Sequence, residues 1–430
     1  MIDYSVHEKS YNVLYPENNN ATYISQVNFS DDLQKPFQRW CRYKEGFSIE
    51  LVKRLIKEQA LRDSGIILDP FSGSGSTLVG ANELGYKGVG FEVNPFSYFL
   101  SDVKLKAYTT EEVELFKLLY QKAIQEKNEE YLLPRLSFAD KVFNDEVKSK
   151  LMEIKQNIVD YQNEGVNTKV IDLLKLGWLS AIEELSNYRK AGNGLKKRKL
   201  KKPIILTEED VYYKLDKIYS CMYSDLISSK LKRNVSLYND TSITMDKYVE
   251  NDSVTGIIFS PPYANCFDYT EIYKLELWFG DFVSDYADLK VLRKSSLRSH
   301  LNANLKEDNE NLYTIPLLEE VLNKVGEKEL WDKKIPIMLR LYFHDMFRII
   351  EKCYFALEKG GFCNIVVSNS SYGGVVVPTD LLFTIFAEKV GFEINRIEVA
   401  RYIITSSQQY NITKEQKNFL RESVICLKKK

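Results

Sequence analysis

The chain has 430 residues, of which 44% are hydrophobic, and 59 Lys and Arg residues nearly balance 60 Asp and Glu residues, for a formal net charge of −1 at pH 7. This length can bury a large core and exceeds the need of one compact domain, so one enlarged domain or two are expected. The small net charge excludes nucleic-acid attraction by a global field and leaves only local clusters. The sequence shows neither a signal peptide nor a run of membrane-spanning length, which indicates a cytoplasmic protein.

Six cysteines lie at positions 41, 221, 266, 353, 363 and 426. Their spacing contains no C-x-x-C pair, and no His residues stand at zinc-site distances from them. We therefore expect reduced thiols and no metal site. No cysteine follows a proline.

A capped helix and a glycine-rich turn dominate the first hundred residues. Ser48 is predicted to cap a helix with apolar residues at helical spacing, and a short strand from Gly65 leads into Asp69-Pro70-Phe71-Ser72-Gly73-Ser74-Gly75-Ser76-Thr77. The two glycines permit positive φ and close approach of a ligand to the next helix. A second strand ends at Glu92-Val93-Asn94, about twenty residues on, where a ribose hydroxyl would need an acceptor. The pattern predicts a nucleoside-type cofactor, and the lack of Gly-Lys-Ser/Thr excludes a triphosphate-binding loop.

From about Tyr108 to Leu231 the sequence is charged and helical in period, which predicts an inserted helical subdomain. A glycine-hinged basic run, 189–202, lies inside it and contains Lys196, Lys197, Arg198 and Lys199. Such a run is either a solvated surface or a phosphate-binding cluster. The residues alone favour neither interpretation.

Strand character resumes at 235–240, which ends in Asp240, and the apolar run 254–259 ends abruptly at Ser260-Pro261-Pro262-Tyr263. Because proline cannot continue a ladder, these four residues are expected at the carboxyl end of a buried strand, where open α/β sheets bind ligands. The Ser260 hydroxyl and a backbone carbonyl can accept hydrogen bonds from an amino group, and the Tyr263 ring can stack on a heterocycle. These three groups together are suited to binding a planar molecule that carries an amino group.

The aromatic-rich connection 264–336 is predicted to be a lid or recognition element, with Arg293 and Arg298 as candidate DNA contacts. After it, the pattern predicts a helix to Leu357 that stops at Gly360-Gly361, a strand 362–367, a helix 379–390 and two last strands, 392–399 and 422–427, in an antiparallel hairpin.

Together these motifs resemble the amino-methyltransferases that use S-adenosylmethionine to methylate exocyclic nitrogens of DNA bases. The segment 69–77 resembles that family's cofactor loop, Glu92-Val93-Asn94-Pro95 its ribose-binding segment, and Ser260-Pro261-Pro262-Tyr263 its catalytic tetrapeptide. Asp240 stands where the family's adenine-contacting acid is expected. More loosely, the segment from Phe37 to Phe47 resembles the motif that contacts the methionine part.

The resemblance implies an α/β fold with a Rossmann-like class I methyltransferase sheet, mostly parallel with an antiparallel last hairpin, and S-adenosylmethionine without a metal. It also implies double-stranded DNA as partner, base flipping, and a restriction-modification context in which a cognate endonuclease acts separately. We expect five segments: 1–108 with the cofactor-binding half, the helical insertion 109–230, catalytic strands in 231–263, the lid or recognition insertion 264–335, and the rest of the sheet in 336–430. Because both insertions are large, neither can be assigned to target recognition by position.

Exocyclic amines are poor nucleophiles, and acceptors that hold both hydrogens favour attack on a sulfonium methyl without a covalent intermediate. A C5-cytosine enzyme would need a thiolate, typically in a Pro-Cys pair, which this chain lacks. Serine in the first tetrapeptide position favours cytosine N4 over adenine N6 by association, although the chemistry fits both. The motifs are also compatible with an RNA or protein methyltransferase and with a catalytically idle cofactor-binding module.

Overall fold

A computed structural model describes residues 2–16, 27, 30–44, 46–134, 141–192, 194–198, 205–229, 234–306, 312–403 and 414–430. The described residues contain an eight-stranded sheet and two two-stranded hairpins. The strands are β1 (Val13–Leu14), β2 (Ile66–Asp69), β3 (Lys87–Phe91), β4 (Tyr188–Ala191), β5 (Gly194–Lys197), β6 (Val235–Tyr238), β7 (Val254–Phe259), β8 (Leu357–Ser368), β9 (Ser370–Tyr372), β10 (Val375–Val377), β11 (Phe392–Tyr402) and β12 (Arg421–Lys429).

The sheet order is β6-β3-β2-β7-β8-β12-β11-β1. Each pair is parallel except β12, which is antiparallel to both β8 and β11. This arrangement confirms the class I methyltransferase fold with its antiparallel last hairpin. The strand order reverses between β2 and β7, and ligands of open α/β sheets bind outside the carboxyl ends of the strands at such a point.

The helices are α1 (Ser5–Glu8), α2 (Ile49–Gln59), α3 (Ser76–Glu83), α4 (Pro95–Leu105), α5 (Thr110–Gln125), α6 (Asp145–Asn163), α7 (Thr168–Leu185), α8 (Glu208–Ile227), α9 (Tyr269–Ile272), α10 (Lys274–Phe279), α11 (Tyr286–Ser295), α12 (Pro316–Gly326), α13 (Ile335–Ala356) and α14 (Thr379–Val390). The predicted Ser48 cap is confirmed, because the Ser48 hydroxyl accepts a hydrogen bond from the backbone N–H of Leu51 at 3.3 Å. None of the helices in the described part of the chain combines the length and the apolar composition of a membrane span.

One hydrophobic core joins three parts of the sequence. Helices α5 to α8 bury their apolar faces together with Trp40 from the N-terminal segment and with Tyr273, Trp278 and Phe279 from the connection after β7. These three aromatic side chains of the connection therefore pack in an interior, whereas Tyr286, Tyr313 and Trp331 of the same connection are exposed. Interior packing is the physical reason for an aromatic residue at each of the three buried positions.

Three local predictions need correction. Strand β8 begins at Leu357, so Gly360 and Gly361 lie inside a strand and do not separate a helix from one. The basic run contains a two-stranded hairpin, β4–β5, which was not predicted. The β9–β10 hairpin was also not predicted, because three-residue strands are too short to show a period.

Candidate active site

A cavity opens at the carboxyl ends of β2, β3, β6 and β7, next to the point where the strand order reverses. Each strand contributes side chains or backbone to its wall. The predicted site residues that line it are Pro70, Phe71, Gly73, Glu92, Asn94, Asp240, Ser260 and Pro262. Four separate motifs thus meet at one edge of the sheet, as the sequence predicts for strand ends.

The glycine turn is held against the next strand by Glu92. Its two carboxylate oxygens accept hydrogen bonds from the backbone N–H groups of Gly73, at 2.9 Å, and Asn94, at 2.7 Å. Burial raises the pKa of Glu92 to about 7, although these hydrogen bonds oppose the shift. Because each carboxylate oxygen has two lone pairs, Glu92 retains acceptor capacity toward the cavity.

Asp69 lies behind the turn and does not line the cavity. Its Oδ1 accepts a hydrogen bond from the backbone N–H of Phe71 at 2.9 Å, which holds the chain in its turn after β2. Burial raises the pKa of Asp69 to about 7. Asp69 therefore shapes the loop from inside the sheet edge.

Asn94 and Asp240 form the next part of the wall. The Asn94 side-chain oxygen caps α4 by accepting from the backbone N–H groups of Phe96 and Ser97, while its Nδ2 is buried and makes no hydrogen bond within the described residues. Asp240 accepts a hydrogen bond from the Tyr248 hydroxyl at 2.7 Å, and this bond is the main cause of its lowered pKa. A polar ligand can thus find both a donor and an ionised acceptor here.

In the tetrapeptide after β7, Pro261 is buried and the other three residues are partly exposed. Ser260 and Pro262 line the cavity. The Ser260 hydroxyl donates to the Tyr263 hydroxyl at 3.1 Å, and the Tyr263 hydroxyl donates to Glu422 Oε1 at 2.6 Å. Glu422 was not singled out from the sequence, because it lies far along the chain from the tetrapeptide.

The opposite wall comes from the connection after Tyr263. Asp268, Tyr269, Thr270 and His300 line it. Asp268 Oδ2 accepts from Arg293 Nε at 3.1 Å and lies 3.8 Å from His300 Nδ1. Burial lowers the pKa of His300. Burial also acts on Asp268, whose pKa it would raise, but His300 and the surrounding hydrogen-bond donors outweigh it and leave the pKa of Asp268 lowered.

Several predicted cofactor residues lie elsewhere. Phe47 is buried in the hydrophobic cluster of α2 on the sheet, and Tyr43 from the same segment lines the cavity in its place.

At Gly75, with φ +82°, an added Cβ would meet Ser101 Oγ at 3.0 Å on α4, so this glycine serves loop packing. The side chains of Ser72, Ser74 and Thr77 are buried and do not form part of the cavity wall.

Gly73 is the glycine that the cavity requires. It lines the cavity at φ +49°, and an added Cβ would meet the Tyr43 hydroxyl at 3.2 Å. A side chain there would therefore strain the backbone and narrow the space between the loop and Tyr43.

The N-terminal segment that carries Tyr43 is anchored on the helical insertion. Asp225 of α8, 1% exposed, accepts hydrogen bonds from the backbone N–H of Phe37 at 3.0 Å, from Trp40 Nε1 at 2.9 Å and from the Arg39 guanidinium. The insertion therefore positions one wall of the cavity.

The predicted DNA-binding residues fall into two groups. Lys196 and Lys197 are exposed on β5, whereas Arg198 donates to the backbone carbonyls of Ser186 and Glu183. Lys199 lies outside the described residues.

The prediction that Arg298 contacts DNA needs correction, because two of its three guanidinium nitrogens pair with Asp345 in the protein interior. Arg293 donates hydrogen bonds to Asp268 and Thr270 of the cavity wall and to the neighbouring Glu271. Interior pairing of arginines cannot be read from their spacing in the sequence.

The chemistry of this cavity fits S-adenosylmethionine. Glu92 and Asp240 would accept hydrogen bonds from the nucleoside part, the unpartnered Asn94 Nδ2 would donate one, and Gly73 leaves room beside Tyr43. Among the described residues, no group of three or more His, Cys, Asp or Glu side chains is placed to hold a metal ion.

Comparison with known proteins gives concordant matches. The N6_N4_Mtase family model, described as DNA methylase, matches residues 5–100. Type II methyltransferase M.AvaI from Nostoc sp. is 29% identical over 404 residues, which cover 87% of this chain and 82% of that protein. Type II methyltransferase M.BsoBI from Geobacillus stearothermophilus is 28% identical over 419 residues, covering 85% and 81%.

Two further matches are more limited. Type II methyltransferase M.MjaII from Methanocaldococcus jannaschii is 36% identical over 72 residues, covering 17% of this chain and 13% of that protein. The solved structure of the rRNA methyltransferase aviRa from Streptomyces viridochromogenes aligns with 89% of this chain and 85% of that one, at 6% identity and a TM-score of 0.27, too low to bear on function.

The family match and the long type II relatives agree with the sheet order and with the meeting of four motifs at one cavity. The chain is thus similar to the amino-methyltransferases of the DNA N4/N6 type.

Proposed function

We propose that this protein transfers a methyl group from S-adenosylmethionine to the N4 amine of a cytosine flipped out of double-stranded DNA. The observation that carries the proposal is the position of Ser260 on the wall of a cavity that also contains Glu92 and Asp240. A nucleoside-binding wall and an acceptor for a planar amine thus face the same space.

The residues divide the work by their chemistry. Glu92, Asp240 and Asn94 bind the cofactor's nucleoside part, and Tyr43 with Gly73 bounds the space beside it. The bound cofactor supplies an electrophilic sulfonium methyl group. Ser260 Oγ and a backbone carbonyl next to Pro261 accept hydrogen bonds from the target amine, so that the nitrogen lone pair is less delocalised into the ring and points at the methyl carbon. The N–C bond would form as the sulfonium C–S bond breaks, and the methylated amine would lose one proton to water.

A base inside a duplex cannot reach this cavity, so the reaction requires base flipping. The Tyr263 ring would stack on the extruded base, while its hydroxyl is held by Glu422. Serine at position 260 favours cytosine N4 in the proposal, because a neutral hydroxyl with a backbone carbonyl stands where adenine-N6 enzymes usually carry aspartate or asparagine.

The β4–β5 hairpin supports contact with DNA. Arg189 and Lys196 are paired across the two strands and are both exposed, whereas Lys190 on the opposite face is buried against Glu276 and Glu183. The hairpin thus has a packed face and a basic face. A two-stranded ribbon of this kind fits the major groove, and its cations can contact phosphates.

Nucleoside mass spectrometry of duplex DNA methylated in vitro tests the proposal. N4-methylcytosine as the product supports it, and N6-methyladenine alone would overturn the choice of base while leaving DNA methylation in place. Label transferred only to RNA or protein, or cofactor binding without transfer to any polymer, would overturn the DNA substrate. Methylation confined to one short sequence would fit a restriction-modification partner, as the type II relatives suggest.

A further inference from the structure

A buried carboxylate from the last strand reaches the catalytic tetrapeptide. Glu422 is the second residue of β12, and it is only 3% exposed. Because β12 runs antiparallel to β8, its first residues lie at the same sheet edge as the carboxyl ends of the parallel strands. This topology places Glu422 beside Ser260 and Tyr263, although about 160 residues separate them in sequence.

The three side chains form a linear hydrogen-bonded chain. The Ser260 hydroxyl donates to the Tyr263 hydroxyl at 3.1 Å, and the Tyr263 hydroxyl donates to Glu422 Oε1 at 2.6 Å. The second carboxylate oxygen, Oε2, accepts from Arg401 Nε of β11. The guanidinium compensates the buried negative charge, as a buried carboxylate requires.

The charge at the end of this chain sets its direction. An ionised carboxylate only accepts hydrogen bonds, so the Tyr263 hydroxyl must donate its proton to the hydrogen bond with Glu422. Toward Ser260 the Tyr263 hydroxyl can therefore only accept. The Ser260 proton then lies in the hydrogen bond to Tyr263, and the two lone pairs of its oxygen stay available to the cavity that Ser260 lines. A serine hydroxyl, which could either donate or accept, thus becomes an acceptor.

We propose that Glu422 is a positioning residue for methyl transfer, which acts through Tyr263 to make Ser260 an acceptor for the N–H of the target amine. The inference rests on the proposed methylation of a DNA amine but not on which base carries it. It explains how a neutral hydroxyl performs a task for which a carboxylate or amide is the stronger acceptor.

Glu422→Gln tests the direction of the chain. A glutamine can accept from Arg401 with its oxygen and donate from its nitrogen to Tyr263, which reverses both hydrogen bonds and turns the Ser260 proton toward the amine. With saturating cofactor and DNA, single-turnover transfer by wild type and variant is measured as methyl groups on DNA, whatever the base. Glu422→Gln should be about 10- to 100-fold slower, the range for a polar partner removed or reversed in a buried site, while S-adenosylmethionine affinity stays within about twofold.

Two further variants separate positioning from folding. Tyr263→Phe keeps the ring and leaves the Glu422–Arg401 pair intact, so it should show a similar loss without the destabilisation that Glu422→Gln can bring. In a Ser260→Ala background, Glu422→Gln should have no further effect on rate, because the hydroxyl that it orients is gone. Glu398→Gln is the matched control: Glu398 lies on β11 and pairs with Arg54, so it should lower neither rate nor cofactor affinity.

Equal rates for Tyr263→Phe and wild type would overturn the proposal. A Glu422→Gln loss that persists in full in the Ser260→Ala background would also overturn it, because Glu422 would then act through the fold. Failure of wild-type enzyme to label DNA would refute the proposed function and this inference with it, whereas an unexpected base would leave the inference intact.

Discussion

Glu92 Oε2 accepts a hydrogen bond from the backbone N–H of Gly73 at 2.9 Å, which ties the turn after β2 to the residue that follows β3. The contact joins two motifs that are 19 residues apart. It also brings the Glu92 carboxylate and the Gly73 backbone to the same wall of the cavity. The first two predictions concern these two residues.

The first prediction concerns Gly73. Gly73→Ala should weaken S-adenosylmethionine binding, because the added Cβ meets the Tyr43 hydroxyl at 3.2 Å and the backbone is at φ +49°. Gly75→Ala is the matched control with a positive φ and a Cβ directed at Ser101, away from the cavity. Calorimetric titration should show the larger loss for Gly73→Ala, and equal losses would refute the assignment of Gly73 to the cofactor wall.

The second prediction is a pH dependence of cofactor binding. Burial raises the pKa of Glu92 to about 7, and only its ionised form accepts two ribose hydroxyls. Affinity for S-adenosylmethionine should therefore fall as the pH drops below 7, approaching about tenfold per pH unit when one proton must leave on binding. Glu92→Gln should bind weakly at every pH from about 5.5 to 7, and a wild-type affinity that stays constant over this range would contradict the role of Glu92.

The same raised pKa has a consequence for stability of the ligand-free protein. Because the folded pKa lies above the ordinary value of 4.5, the Glu92 contribution to the free energy of unfolding is present below that value and is lost as pH rises through about 7. Melting temperatures between about pH 5 and 8 should fall less steeply with pH in Glu92→Gln than in wild type. Identical slopes would show that Glu92 ionises normally in the folded state.

The third prediction concerns Ser260 and Tyr263. Ser260→Ala should slow methyl transfer strongly while cofactor binding is nearly intact, since the hydroxyl belongs to the amine side of the cavity. Tyr263→Ala should weaken the interaction with the target base by about 1–3 kcal/mol because its ring no longer stacks on that base. Rapid-quench rates and cofactor titrations should separate the two steps, and loss of cofactor affinity in Ser260→Ala would argue against this division.

The fourth prediction tests the basic hairpin. Replacing Lys196 and Lys197 by Gln should flatten the log–log salt dependence of DNA binding by roughly 0.9 for each phosphate that is no longer bound. Lys57 and Lys389 are exposed lysines on α2 and α14, and their replacement by Gln is the charge-matched control. An unchanged slope in the hairpin variant would show that Lys196 and Lys197 are solvated surface residues that do not contact phosphates.

The fifth prediction separates stability from DNA binding at Arg298. Arg298→Met leaves the buried Asp345 without this cationic partner, and breaking a buried ion pair in this way costs about 3–5 kcal/mol. Denaturant unfolding should show the loss, and the salt dependence of DNA binding should keep its wild-type slope. A reduced slope with unchanged stability would restore Arg298 as a phosphate contact.

The local structure and the chemistry of the motifs follow from the residue types and their spacing. The Ser48 cap, the glycine turn and the strand that stops at Ser260-Pro261 depend on backbone conformation and on hydrogen bonds between near neighbours, which residue types predict directly. Parallel strands then bring their carboxyl ends together, so the meeting of Glu92, Asp240 and Ser260 also followed from the pattern.

Which member of each motif faces the cavity depends on tertiary packing. Tyr43 lines it and Phe47 does not, and Gly73 lines it and Gly75 does not, because these choices depend on packing against α2 and α4. Glu422 reaches Tyr263 through the antiparallel course of β12, a contact made by two distant parts of the chain. Contacts of this kind, between residues distant in sequence, depend on how whole helices and strands pack. The hydrophobic periodicity of a local segment does not predict them.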